Sequence, residues 1–492
     1  MKRWLPIAGL ALLALFALES LAEARPGGGH SYSGGSSGGG GGDGAGALVY
    51  LLIRLIIYYP QVGIPVAIVA IVFVYFSKRK NDGLGDWDSG QSIASSVPSA
   101  DLSDIRHHDP EFSEVLFTDF SYALYAAAHR ARHSEAELDK LGPYLSPGTR
   151  HNLMGRLPTG VPVISVIVGK MRAVNVKVPL FTRTGEGKAH PLRVTLAFES
   201  NITVGQGKEQ RTHFVKENWM LIRSATAKSR PPAHTRKFDC PNCGAPFEST
   251  DDATCSYCGE VVAGGRFDWA VEGVYLLLDE MRPPSLVGHA PERGTNLETV
   301  YHPDFMEGLA KLQADDPTVS HDAIYARLES IFRELNKAWS ECNIMASRPF
   351  VSDGMNDYLG YWIDAYGRQG LQNITENPVI KAWDLVRVTR DKYYDSIVVR
   401  IFAESLDYTI DRESGKVMGG SNKKPRTYSE YWTLIRGSAV RGTPANPKAC
   451  PNCGGELRIN MGGNCEFCDA HITSGEFDWV LSKIEQDEAY TG

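Results

Sequence analysis

Eight of the nine cysteines in this chain of 492 residues fall into two sets of four, Cys240, Cys243, Cys255, Cys258 and Cys450, Cys453, Cys465, Cys468. Each set reads C-P-N-C-G, then C-x-x-C, with 11 residues between the inner cysteines. Two such turns brought together place four thiolates at the corners of a tetrahedron, the geometry of structural zinc. The glycine after the second cysteine permits the tight turn that this requires. Disulfides in an exported chain are the competing reading, and iron–sulfur clusters lack their usual spacings here. With all four ligands supplied by protein, no position is left open for water or substrate. The expectation is two Zn2+ ions that hold structure. Cys342 stands apart on the stripe Ile324, Leu328, Ile331, Leu335, Ala338, Cys342, and reads as a buried core thiol on a helix face.

Other polar groups offer less. His107-His108-Asp109 and His321-Asp322 sit where helices should begin, and capping or exposure is expected of them. No Walker, Rossmann, H-E-x-x-H or G-x-S-x-G pattern is present. Net charge is -7, which gives no global case for nucleic-acid binding. The basic stretch 223–237 has no interleaved aromatics, so it reads as a linker, with an anionic lipid surface as its functional use. Phe267 and Trp269, like Phe477 and Trp479, follow the cysteine sets at the start of expected amphipathic helices. They would dock each ribbon onto its domain or anchor a partner.

The elements that position these residues come as a repeat. The cysteine sets are offset by 210 residues, and "RFDWAV" at 266–271 answers "EFDWVL" at 476–481. "ENWMLIRS" at 217–224 answers "EYWTLIRG" at 430–437, "GPYLSPG" at 142–148 answers "RPFVSDG" at 348–354, and "DPEFS" at 109–113 faces "DPTVS" at 316–320. One module therefore occurs twice. Each begins with a long amphipathic helix, carried in the first copy by Phe117, Phe120, Leu124, Ala128 and Ala131. Strand-like alternation follows, then the ribbon and a Phe-Asp-Trp helix. The fold class is α+β, two tandem modules of helices covering one face of an antiparallel sheet, each followed by a four-cysteine zinc ribbon, plus one transmembrane helix.

That transmembrane helix belongs to the amino terminus. Lys2 and Arg3 precede the apolar run Leu5 to Leu18, and Ala22-Glu23-Ala24 has the form of a cleavage site. Residues 1–24 are the expected signal peptide and 25–46 a Gly/Ser-rich tether. Ile57 to Phe76, within 47–80, is long enough to span a bilayer as one helix. Lys78, Arg79 and Lys80 after it should stay cytoplasmic, which keeps everything downstream on that side whether or not the signal is cleaved. Asn201-Ile-Thr203 and Asn373-Ile-Thr375 then carry no glycan. The remaining divisions are a linker at 81–104, the first module at 105–236, its ribbon at 237–263, a helix and linker at 264–300, the second module at 301–446, its ribbon at 447–475 and a C-terminal helix at 476–492.

The Asp-Pro start, the long helix, the curved sheet ending in W-x-L-I-R and the preceding span resemble bacterial relatives of subunit forty-four of the mitochondrial inner-membrane translocase. The resemblance covers about 105–226 and 310–440. It implies a cone-like domain and a scaffolding role in which anionic membrane lipid and a membrane-associated protein are the partners. The doubled domain, the ribbons and the integral span depart from the mitochondrial member, and no counterpart of its chaperone-recruiting region is present. The expected function is a non-enzymatic scaffold on the cytoplasmic face of a bacterial inner membrane, in protein or lipid transport. The alternatives are an enzyme using a pocket in one cone, or a nucleic-acid-binding regulator using the ribbons.

Overall fold

The computed structural model describes residues 99–492 apart from 157–159, 182–189, 235–236, 249–252, 282–285, 287–294, 443–448, 461, 474 and 488. The expected signal, tether, span and basic flank, including Lys78, Arg79 and Lys80, lie outside the described residues. No described helix is long and apolar enough to cross a membrane.

In the first module, helix α1 (Glu114–Ala131) starts at Ser113, whose hydroxyl accepts the Leu116 N–H at 3.2 Å. Its buried face is Phe117, Phe120, Leu124, Tyr125, Ala128 and His129, the i, i+3, i+4 pattern of a helix lying on a sheet. Short helices α2 (Glu135–Asp139) and α3 (Pro147–Met154) follow, the second capped by Ser146 with Pro147 in its first turn. Strands β1 (Val163–Lys177), β2 (Pro191–Val204), β3 (Arg211–Ser224) and β4 (Ala270–Met281) form one antiparallel sheet in the order β1-β2-β3-β4. Strand β2 buries Leu192, Val194, Leu196 and Phe198 on alternate positions, the two-residue period of a half-covered sheet. Three register shifts along β1–β2 bend the sheet around α1.

The second module repeats this plan. Helices α4 (Phe305–Asp315), α5 (His321–Ser340) and α6 (Asp353–Arg368) cover strands β5 (Leu371–Arg390), β6 (Tyr394–Asp411), β7 (Val417–Gly437) and β8 (Val480–Gln486), ordered β5-β6-β7-β8. Helix α5 is the expected stripe and α4 is an addition without a counterpart among the described helices of the first module.

The Phe-Asp-Trp segments correct the sequence reading: both continue into strands, β4 and β8, rather than amphipathic helices. Strands β3 and β7 each have a free edge, and the chain returning from the ribbon fills it, giving up local helical periodicity for a ladder of backbone hydrogen bonds. Each ribbon is therefore inserted within the β3–β4 or β7–β8 connection, and the sheets extend beyond the expected limits of 236 and 446.

The modules touch through α1 and through β1, whose Ile167 joins the core of the second module and which packs against α6. The start of α1 places Val115 and Leu116 against Tyr393, Tyr394, Ile435 and Val480 of the second sheet. Arg387 pairs with Glu114 at 3.3 Å, and Lys392 with Glu111.

Candidate metal centres

The four sulfurs of each cysteine set lie within 4.8 Å of one another. Cys240–Cys258 and Cys243–Cys255 are 3.9 and 3.8 Å apart, and Cys450–Cys468 is 3.8 Å. A tetrahedron with zinc–sulfur bonds of about 2.3 Å has edges of about 3.8 Å, whereas a disulfide would bring the atoms to about 2.05 Å. The donor set and its spacing fit zinc. The knuckle turns close as the repeated glycine requires: Gly244 and Gly454 have φ of 75° and 73°, and their N–H groups donate to Cys240 O and Cys450 O.

The repeated asparagine of C-P-N-C has a task that the sequence reading missed. Asn242 Nδ2 donates to Cys258 Sγ at 3.4 Å and Asn452 Nδ2 to Cys468 Sγ at 3.3 Å. These bonds favour the thiolate, holding Cys258 down to about 7 and Cys468 down to about 6. Burial pushes Cys240 up to about 12.

Three of the four remaining repeat motifs converge on one buried clasp in each module. In the first, Asp109 Oδ2 accepts from Arg223 Nη2 at 2.8 Å and from the N–H and hydroxyl of Ser229 at 2.9 and 2.7 Å. The Arg223 guanidinium stacks 4.8 Å over Trp269. In the second, Asp316 Oδ2 meets Arg436 Nη1 at 3.0 Å and the Gly442 N–H at 3.1 Å, and Arg436 lies 4.6 Å over Trp479. The Asp-Pro, W-x-L-I-R and Phe-Asp-Trp signatures are thus the three corners of a structural ion pair. A further pair closes each side, Arg230–Asp268 at 2.5 Å and Arg327–Asp478 at 3.2 Å. Asp109 is accordingly no helix cap, since Ser113 takes that place. At His321-Asp322 the cap is Ser320, and His321 packs 4.4 Å from Trp383 while Asp322 is exposed.

Trp269 and Trp479 are buried in the module cores, and Phe267 and Phe477 pack within the ribbons. Within each Phe-Asp-Trp segment the phenylalanine thus belongs to the ribbon and the tryptophan to the module core. The two joints differ elsewhere. Ribbon one leans on Tyr144, whose hydroxyl donates to Asp239 O at 2.7 Å. Ribbon two is held by Asp353, which accepts from Thr473 at 2.7 Å and Arg348 at 2.9 Å and meets His471 at 3.1 Å. Burial works against the Asp353 charge, but His471, Thr473 and Arg348 together hold its carboxyl well below the usual range, and the bond to Asp353 raises His471. Cys342 departs from its expected place: it lies past the end of α5 at φ 53°, half-buried, with Arg412 Nη2 at 2.9 Å. It borders an open groove of about 490 Å³ lined also by Asp364 and Arg368.

A titratable pair that the motif search did not find sits inside the first cone. His129 Nε2 and Glu217 Oε2 are 2.9 Å apart and fully buried. Arg132 reaches His129 Nδ1 at 3.0 Å, Trp219 donates to Glu217 at 3.0 Å, and Arg156 pairs with the same carboxylate. Burial, then Arg132 and Arg156, push His129 well below its ordinary value. Its signal in the sequence was a lone histidine on the apolar face of α1.

Against known families, the match falls on the second module. Residues 305–446 match the Tim44-like domain. The Tim44-like domain begins at the first residue of α4 and ends between β7 and the second ribbon, so β8 and the metal centre lie beyond it. The first module shares its strand order and clasp. No curated protein matches the chain.

Proposed function

We propose that this chain is a membrane-anchored, non-enzymatic scaffold whose two zinc-clipped cones bind a membrane-associated protein or lipid at the cytoplasmic face of a bacterial inner membrane, in protein or lipid transport. The observation that carries this is the Tim44-like domain at 305–446, the family whose mitochondrial member scaffolds a translocase. The span Ile57 to Phe76 and its flank Lys78, Arg79 and Lys80 supply the anchor and its orientation. Cys240, Cys243, Cys255 and Cys258 hold one Zn2+ and Cys450, Cys453, Cys465 and Cys468 the other. Bound zinc fixes the fold of each ribbon and offers no open coordination position for chemistry.

Binding rather than catalysis is supported by the polar groups themselves. The most concentrated of them, Asp109–Arg223, Asp316–Arg436 and His129–Glu217, are consumed by one another in the cores. Two modules in one chain allow bivalent engagement, which strengthens binding without any new contact. The test is affinity capture of the full-length chain from intact membranes, with co-purifying protein and lipid identified by mass spectrometry. A reproducible protein or lipid companion, enriched over an unrelated single-span protein, is expected. A chain that comes out alone and lipid-free overturns the scaffold reading.

A further inference from the structure

The second module covers part of the outer face of the first sheet. The register across β1, β2 and β3 sets Ile167, Asn201 and Phe214 in one row, and Ser165, Thr203 and Thr212 in the next. The residues between and beside them, Val166, Ile202, Val204 and Val215, belong to the first core, so these two rows lie on the opposite face. That face is closed to water here: Asn201 is fully buried, and Thr203 and Phe214 nearly so. Helix α6 of the second module packs on β1. Ile167 enters the second core, the one residue of the first module found there among those described, and Thr203 lies beside the hydroxyl of Tyr361 on α6.

This contact is polar and incompletely satisfied. Neither Oδ1 nor Nδ2 of Asn201 has a hydrogen-bond partner among the described residues, and the same holds for Ser165 Oγ and the Tyr361 hydroxyl. Thr203 and Thr212 satisfy each other at 3.0 Å. Orphaned groups of this kind are rare in a native fold, because each has given up its bonds to water and received none in exchange. Asn373, a buried asparagine within the second module, shows the contrast. Its Nδ2 donates to Asp407 at 2.9 Å and its Oδ1 accepts from Trp339 at 2.6 Å. The contact of α1 with the second sheet is also of another kind, four buried apolar side chains flanked by ion pairs. Parting that contact exposes apolar surface, whereas parting β1 from α6 returns orphaned groups to water.

We infer that the seam between β1 and α6 opens while both modules stay folded, with the α1 contact as its pivot. Opening hydrates Asn201, Ser165 and Tyr361, which offsets part of the cost of separating the surfaces. It also bares Ile167 on the first sheet and the Tyr361 face of α6, a surface that the closed molecule hides. Polar interfaces between domains of one chain commonly permit such motion. The opening goes beyond the scaffold reading and does not depend on the membrane anchor.

Hydroxyl-radical footprinting of the full-length chain in detergent, read by mass spectrometry, tests the seam. Each seam residue has a control of its own type within the second module: Ile380 (7% exposed) for Ile167 (7%), and Tyr408 (8%) for Tyr361 (5%). A closed molecule gives Tyr408 the faster rate, whereas an opening seam gives it to Tyr361, and Ile167 should outpace Ile380. Asn201→Leu and Tyr361→Phe each remove an orphaned group and should slow oxidation of Ile167 by about fivefold or more, with Ile380 unchanged. Should Asn201→Leu raise oxidation of Tyr125 in the first core, that variant has lost its fold, and Tyr361→Phe, which removes a single oxygen, decides. Ile167 and Tyr361 oxidised no faster than their controls, or Ile167 oxidised alike in the wild type and Tyr361→Phe, overturn the opening.

Discussion

Arg223 and Arg436 explain why the same short motifs recur at both ends of the chain. Each guanidinium is fully buried, paired with an aspartate and roofed by a tryptophan. Removing one member strands a buried charge, which costs about 3–5 kcal/mol, whereas replacing both by apolar residues of similar volume is close to neutral. Arg436→Ala should therefore lower unfolding stability by about that amount, read as a shift in the urea midpoint, and Arg436→Met with Asp316→Leu should recover most of it. His129 makes the opposite kind of demand. Its folded pKa lies below the unfolded value of about 6.5, so the native state binds fewer protons and stability falls as pH drops below about 6.5. The second module has Asn336 on the same buried helix face, hydrogen-bonded to Phe332 O. His129→Asn should flatten the loss of stability between neutral pH and about pH 5.5, measured by urea titration at each pH. An unchanged slope would mean that His129 is not the titrating group.

At the scale of elements, much was legible and the failures share one cause. Helices α1 and α5 and strand β2 carry strong periodicities, and the cysteine spacing fixed the ribbons. Strands β4 and β8 were not legible. "YLLLDEM" has no clean alternation, and what decides its conformation is the free edge of β3, a partner distant in sequence. The clasp was visible only as three separate motifs, because their convergence depends on that strand. One consequence follows for the metal. Since each ribbon interrupts the hairpin that delivers the last strand, removing zinc lengthens a floppy connection and loosens the strand beyond it. Chelation should speed amide hydrogen exchange in Ala270–Met281 and Val480–Gln486 well before it does so in β2 and β6. Equal protection in metal-free and metal-loaded protein would separate the ribbons from the sheets.

Over the whole molecule, the two copies have diverged in what their outer surfaces do. The second module spends its β5–β6 turn on α1 of the first, whereas Leu180 and Phe181, where the first module's chain leaves β1, are exposed. Leu116→Asp, at the centre of that contact, should weaken the junction by about 2–5 kcal/mol, so that the modules melt in two separate steps in calorimetry instead of one. The scaffold reading needs both cones intact and on the thiol-preserving side of a bilayer, and the metal reports on both conditions. The decisive measurement is the zinc-to-chain ratio, with free thiols counted, in full-length protein isolated from membranes under non-reducing conditions. Two zinc ions per chain, bound by eight unpaired cysteines, is the expected result. Metal-free protein with those cysteines joined in disulfides would contradict it.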